Sequence, residues 1–209
     1  MGAASPPPTP RDQLPLVPSP PPFGLAGVVI TSGDHICCFY SGADERDRIL
    51  RAYLRAGLRH GDKCICLIDS TEPHVVRRQV EDEGVAAASD QLVVEPAGPA
   101  YLRNGGRFSP DIMIEYLDET IGAALATDAF RFVRTVGEMS WVLREPPASE
   151  ELFTYEAAIN RFAPRYPQAL LCMYDLRRFG GGMLVDAMTT HPKLLIGNLL
   201  VQNPWCMVA

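Results

Sequence analysis

The stretch "HICCFYSGADERDRIL", His35 to Leu50, passes from an apolar run through Ser41 and Gly42 into a charged segment with helical spacing. A short, nearly continuous apolar run predicts a strand covered on both faces. The stripe that follows, Ile49, Leu50, Tyr53, Leu54, Gly57 and Leu58, predicts a helix packed on that strand. Ser41 to Asp44 resembles a capping box at its start, and Gly61 stops it. Strand, tight turn and helix form the layout in which many α/β proteins cradle a nucleotide phosphate. A phosphate loop, however, needs converging backbone N–H groups, a Lys and a Ser or Thr, spaced G-x-x-x-x-G-K-[ST]. "YSGADERD" has one glycine and no lysine, and it puts Asp44 and Glu45 in the first helical turn, where they would repel an incoming phosphate. The shape is expected without ATP chemistry.

Beyond this junction, apolar runs and amphipathic segments alternate. The expected strands are His35–Tyr40, Cys64–Ile68, Leu92–Glu95, Phe130–Val136, Leu170–Tyr174 and Leu194–Val201. Further helices are expected at Glu72–Glu83, from the "SPD" at Ser109 with Ile112, Met113, Tyr116, Leu117, Ile121 and Leu125 inward, at Ser149–Ala163, and after the glycines at 180 to 182. Strands separated by helices of this length require crossovers, which predicts an α/β three-layer sandwich with a mostly parallel central sheet. Residues 1–22 hold nine prolines and read as a disordered tail ahead of a single domain, 23–209. The run Phe23 to Ile30 is either an added strand or a segment packed on the domain.

Composition narrows the function classes. The net charge is −6, and all basic residues but Lys63 and Lys193 are arginines, so a large nucleic-acid interface is not expected. No stretch has the length of a membrane helix, and the six cysteines, mostly inside apolar runs with no secretory signal ahead of them, read as reduced thiols of a cytoplasmic protein. Cys37, Cys38, Cys64 and Cys66 lack the turn geometry of zinc knuckles, so no metal and no other cofactor is expected.

Ligands of open α/β sheets bind beyond the carboxyl ends of the strands, which selects Tyr40, Ser41, Asp69, Ser70, Glu95, Gly137, Glu138, Tyr174 and Asp175. Cys172, His191 and Glu138 can be assembled on paper into a nucleophile, base and orienting acid, although a thiol inside an apolar strand is usually inert. In "RTVGEMSWVL", Glu138 either faces a pocket or pairs with Arg134 or Arg144, and Trp141 either lines that pocket or packs in the core. Tyr155 and Glu156 lie on a helix able to reach the same layer.

Six segments, "HICCFYSGADE", "AYLRNGGRFSPDIMIEYL", "RTVGEMSWVL", "YEAAIN", "LLCMYDLRRFGG" and "HPKLLIGNLLVQNP", occur in one order. In that order the chain resembles the MEDS domain, the methanogen and methylotroph sensory domain, over about residues 30 to 207. The resemblance implies a fold similar to RecA-type and circadian-clock ATPase domains without the phosphate loop. It also implies a sensory role toward small hydrocarbon derivatives, as in the sensing region of a repressor of dichloromethane dehalogenase. The family's motif positions fall on His35, Tyr40, Glu138, Trp141, Tyr155, Glu156, Cys172, Tyr174, His191 and Asn203. The expected ligand site is His35, Tyr40, Ser41, Glu138, Trp141, Tyr155, Cys172, Tyr174 and His191, with Glu138 as polar anchor, Tyr40, Trp141 and Tyr174 as walls, and the two histidines as hydrogen-bonding groups. Expected partners are a small organic molecule and a regulatory protein, kinase-like or anti-sigma-like, or a second copy of the chain. The expected activity is non-enzymatic. The alternatives are a RecA-like nucleotide-binding protein and a scaffold whose pocket is filled by its own side chains.

Overall fold

The computed structural model describes residues 23–81, 90–127, 129–144 and 148–207. Its elements are β1 (Asp34–Tyr40), α1 (Ala43–His60), β2 (Lys63–Ile68), α2 (Pro73–Glu81), β3 (Leu92–Pro96), α3 (Ala97–Tyr101), α4 (Pro110–Ala126), β4 (Val133–Glu138), α5 (Ala148–Phe162), β5 (Gln168–Asp175), α6 (Gly181–Thr190), β6 (Lys193–Ile196) and β7 (Leu199–Gln202). The strands form one sheet in the order β3-β2-β4-β5-β1-β6-β7, parallel except for β7. This is the α/β sandwich that the alternation predicts.

Side-chain alternation divides the core in two. Ile36, Cys38 and Tyr40 of β1 face α1 and α2, packing with Ile49, Leu50, Tyr53, Leu54, Val76 and Val80. Cys37 and Phe39 face the other way, toward α3, α4, α5 and α6, with Met113, Leu117, Leu152, Ile159 and Ala187. The stripe of α1 is buried as its spacing requires, each apolar side chain contributing about 1.5–3 kcal/mol. The run from Phe23 to Ile30 is a packed segment: Phe23, Val28 and Ile30 are buried against the α1 side of the sheet.

Several boundaries differ from the sequence reading. Leu194–Val201, expected as one strand, is the β6–β7 hairpin, turned at Gly197 and Asn198. The fourth strand starts at Val133, not Phe130, and runs on to Glu138. Helix α3 and the 3-10 turn Met139–Arg144 were not expected, being too short to show periodicity. The expected capping box does not form: Gly42 is the N-cap, and the Glu45 carboxylate, not Asp44, accepts from the Ser41 N–H at 2.8 Å. The Pro-rich tail and the expected end of the second helix lie outside the described residues. No helix among the described residues is long and apolar enough to cross a membrane.

Candidate functional site

Two pairs of neighbouring strands send their chains to opposite faces of the sheet, opening crevices at their carboxyl ends. β1 leads to α1 and β5 to α6; β2 leads to α2 and β4 toward α5. Both crevices are filled by the protein's own carboxylates. At the first, the Asp175 carboxylate accepts from the Gly42 N–H at 3.3 Å and the Arg177 N–H at 2.9 Å, while Arg177 Nε donates to Ser41 Oγ at 3.0 Å. Gly42 has φ 81°, a left-handed backbone conformation that favours glycine. Asp175 and Glu45 thus hold the Gly42 and Ser41 N–H groups at the entrance to α1.

At the second crevice Glu138, fully buried, accepts from the Asp69 and Ser70 N–H groups at 2.7 and 2.8 Å, from the Tyr40 hydroxyl at 2.9 Å and from the Ser70 hydroxyl. Arg46 donates to Ser70 Oγ and stands 3.9 Å from the carboxylate. The ion pairs that the sequence suggested for Glu138 do not form: Arg134 pairs with Asp62 and Arg144 with Asp69. Burial, then the Glu138 charge, pushes the Tyr40 hydroxyl far up, so Tyr40 stays a donor. The paper triad also fails. Glu138 pairs in register with Met173, which puts it on the opposite face from Cys172 and His191.

The remaining predicted residues meet between the sheet and α5 and α6. His35 begins β1, Cys172 and Tyr174 follow the alternation of β5, and His191 ends α6. The carboxylate they surround is Glu156, which the sequence reading placed in this layer without assigning it to the site. It lies between Leu152, Tyr155 and Ile159 on the inner face of α5, and that acidic position inside an apolar stripe was the available signal. Glu156 Oε2 stands 3.1 Å from His35 Nε2, and 3.5 Å from both His191 Nε2 and Cys172 Sγ. Tyr174 donates to Oε1 at 2.5 Å. His35 Nε2 is also 3.5 Å from Cys172 Sγ, and the two imidazoles lie 4.0 Å apart by ring centroid.

The tautomers follow from the outer hydrogen bonds. Asn160 Nδ2 donates to the Thr190 carbonyl at 2.7 Å, which fixes the amide and makes Oδ1 an acceptor for His35 Nδ1–H at 2.8 Å. His191 Nδ1 is 2.6 Å from the Ala187 carbonyl and so also carries its hydrogen. Asn203 donates to the Met188 and His191 carbonyls at 2.6 and 2.7 Å, anchoring the chain at His191. In the neutral rings both Nε2 atoms therefore present lone pairs toward Glu156. Burial, then the neighbouring His35, pushes His191 down to about 3 against the pull of Glu156, so this ring is neutral. Burial raises Glu156; the charge of a protonated His191 or His35 and the hydrogen bonds from His35 and the Tyr174 hydroxyl lower it, together to about 2. With His191 neutral, an ionised Glu156 rests on the Tyr174 hydroxyl that donates to it and on a proton at His35 Nε2.

An aromatic cluster adjoins this set. Trp141 stacks on Tyr101 at 4.7 Å, and Phe108 and Tyr155 close the cluster. A surface groove between α4 and α5, lined by Asp111, Ile114, Asp118, Arg161, Phe162 and Arg165, contains none of the predicted residues.

Cys172 is not a poised nucleophile, because burial, then Glu156, raises its thiol pKa. Cys37, Cys38, Cys64 and Cys66 are likewise buried and shifted up, Cys64 to about 12. Only Cys206 is partly exposed. Ellman's reagent should therefore titrate one thiol quickly in the native protein and six after denaturation, with the fast thiol lost in Cys206→Ser. Two or more fast thiols would contradict this packing.

The family model for MEDS, the methanogen/methylotroph, DcmR sensory domain, matches residues 34–192. The chain belongs to the MEDS family. This MEDS chain is 31% identical over 174 residues to the transcriptional repressor DcmR of Methylorubrum extorquens, an alignment covering 80% of the chain and 61% of the repressor. It thus spans somewhat less than two thirds of that relative's length. Among solved structures, the KaiC-like protein PH0186 of Pyrococcus horikoshii matches with TM-score 0.54 and 12% identity, over 84% of this MEDS chain and 78% of that one. That likeness shows the fold, an α/β sandwich of the same kind.

Proposed function

We propose that this chain is a cytoplasmic sensory domain that takes up a small organic molecule on the α5–α6 side of its sheet. Occupancy is relayed to a regulatory protein, kinase-like or anti-sigma-like, or to a second copy of the chain, with no covalent chemistry of its own. One observation carries this reading: Trp141 Nε1, in the aromatic cluster of this layer, is a buried donor without a hydrogen-bond partner. Such atoms are costly unless something satisfies them, and a polar guest beside the aromatic cluster does so. His35, Cys172, Tyr174 and Tyr155 line the same layer. Tyr40, Ser41 and Glu138 lie at the crevices, where they order the loops. Similarity to a named repressor supports the regulatory output. A shift of state requires that the guest bind one conformation more tightly than the other.

A second reading, nucleotide binding, is favoured only by the fold likeness, and the carboxylates on the β1–α1 loop oppose it. Thermal shift with small halogenated and oxygenated hydrocarbons, and with ATP and magnesium, separates the two. An organic ligand at 100 times its Kd should raise Tm by roughly 5–10 °C. It should also change the fluorescence of Trp141, which is 1% exposed, in a Trp205→Phe background that removes the exposed indole. Stabilisation by ATP with magnesium and by none of the organics would overturn the proposal.

A further inference from the structure

The convergence at Glu156 places like upon like. With both rings neutral, His35 Nε2, His191 Nε2 and an ionised Oε2 are all acceptors, because each imidazole uses its N–H on an outer partner. A single proton relieves only one of these contacts. Protonating His35 Nε2 would join it to Glu156 and still leave His191 Nε2, fully buried, without a partner. A metal ion satisfies all of them at once.

We propose that His35 Nε2, His191 Nε2, Glu156 Oε2 and Cys172 Sγ bind one divalent transition-metal ion, zinc by preference, at the centre of the α5–α6 layer. The four donor atoms lie within 4.8 Å of one another. Tetrahedral zinc, with bonds of about 2.0–2.3 Å, places its ligand atoms roughly 3.3–3.6 Å apart. Four of the contacts among these atoms are 3.1, 3.5, 3.5 and 3.5 Å. Two imidazoles, a carboxylate and a thiolate suit a borderline-soft ion. Binding sends the Cys172 proton to solvent, and the two ligand anions then balance the dication, leaving a buried centre of zero net charge.

The outer contacts are those that metal-bound groups need. Asn160 and the Ala187 carbonyl take the Nδ1 hydrogens and aim both Nε2 lone pairs inward, and Tyr174 holds the distal oxygen of Glu156. The cysteine-rich strands carry no zinc-knuckle spacing, so the sequence points to no metal there. The set assembled here takes one cysteine from β5 and its other ligands from β1, α5 and the end of α6.

The test uses the untagged full chain, stripped by chelator and titrated with zinc alone, then with cobalt(II) as a spectroscopic probe. The expected result is one bound equivalent, tetrahedral cobalt d–d bands, and a thiolate-to-cobalt charge-transfer band. That band should vanish in Cys172→Ser and persist in Cys206→Ser. His191→Gln should lose high-affinity binding, and Asn160→Ala should weaken it about 10–100-fold. If His191→Gln fails to fold, Cys172→Ser with cobalt decides. Absence of saturable binding, or a charge-transfer band unchanged by Cys172→Ser, would overturn the proposal. Either outcome leaves the organic-ligand reading to its own thermal-shift test.

Discussion

Replacing Glu138 by Ala should destabilise the chain by about 3–5 kcal/mol, a fall in Tm of roughly 10 °C for a chain of this size. The carboxylate is fully buried and ties two backbone N–H groups of the loop after β2 to the hydroxyls of Tyr40 and Ser70. Alanine would leave those donors facing a void, and hydrogen bonds to a charged acceptor contribute about 1.5–3 kcal/mol each. Gln should lose less, about 1–3 kcal/mol, because its single carbonyl oxygen still serves the two N–H groups and the hydroxyls can rotate. Urea unfolding of both variants measures the difference. An Ala variant within 1 kcal/mol of the parent would mean that the crevice refills with water at little cost. If the sensory layer lies on the other face, a folded Gln variant should keep its ligand response, which separates a loop-ordering Glu138 from a ligand-binding one.

The sheet was legible because its strands are short apolar runs covered on both faces, and the first helix because its stripe holds for three turns. Parity within a strand was legible too. His35 and Tyr40 differ by five positions, so they must face opposite ways, while Cys172 and Tyr174 must agree. What a sequence lacks is register between strands. Gly137 pairs with Cys172, and that one alignment turns Glu138 away from the cysteine and toward Tyr40. The acid that does meet Cys172 comes from α5, whose rotation is set by packing against the sheet.

The strand-end rule chose the place where carboxylates have closed the crevices, whereas the histidines and Cys172 converge beneath α5 and α6. These facts share a physical origin. The β1–α1 loop gives its Ser41 and Gly42 N–H groups to Glu45 and Asp175, and the loop after β2 gives those of Asp69 and Ser70 to Glu138, so carboxylates occupy both crevices where an outside anion would approach. The sheet keeps its crossover geometry, and in the opposite layer His191 Nε2 and Trp141 Nε1 lack partners, as Arg134 Nη2 does beneath α1.

Substituting Asp62 by Ala should be as damaging as the loss of Glu138, again about 3–5 kcal/mol, because it strands a buried charge. Arg134 is fully buried beneath α1, donating from Nε to Asp62 at 2.7 Å and from Nη1 to the Tyr53 carbonyl at 3.2 Å, with its guanidinium 5.0 Å from the Tyr53 ring. Helix α1 passes so close that a Cβ at Gly57 would meet the Arg134 side chain at 2.6 Å, and that side chain is fully buried. The pair itself need not add net stability, since desolvating two ions opposes their attraction. Asp62→Ala combined with Arg134→Met removes both charges and should recover most of the loss, leaving the double variant more stable than Asp62→Ala alone by at least about 2 kcal/mol in chemical denaturation. Additive losses in that cycle would show that Arg134 finds other compensation, and would remove the electrostatic reason for the glycine in α1.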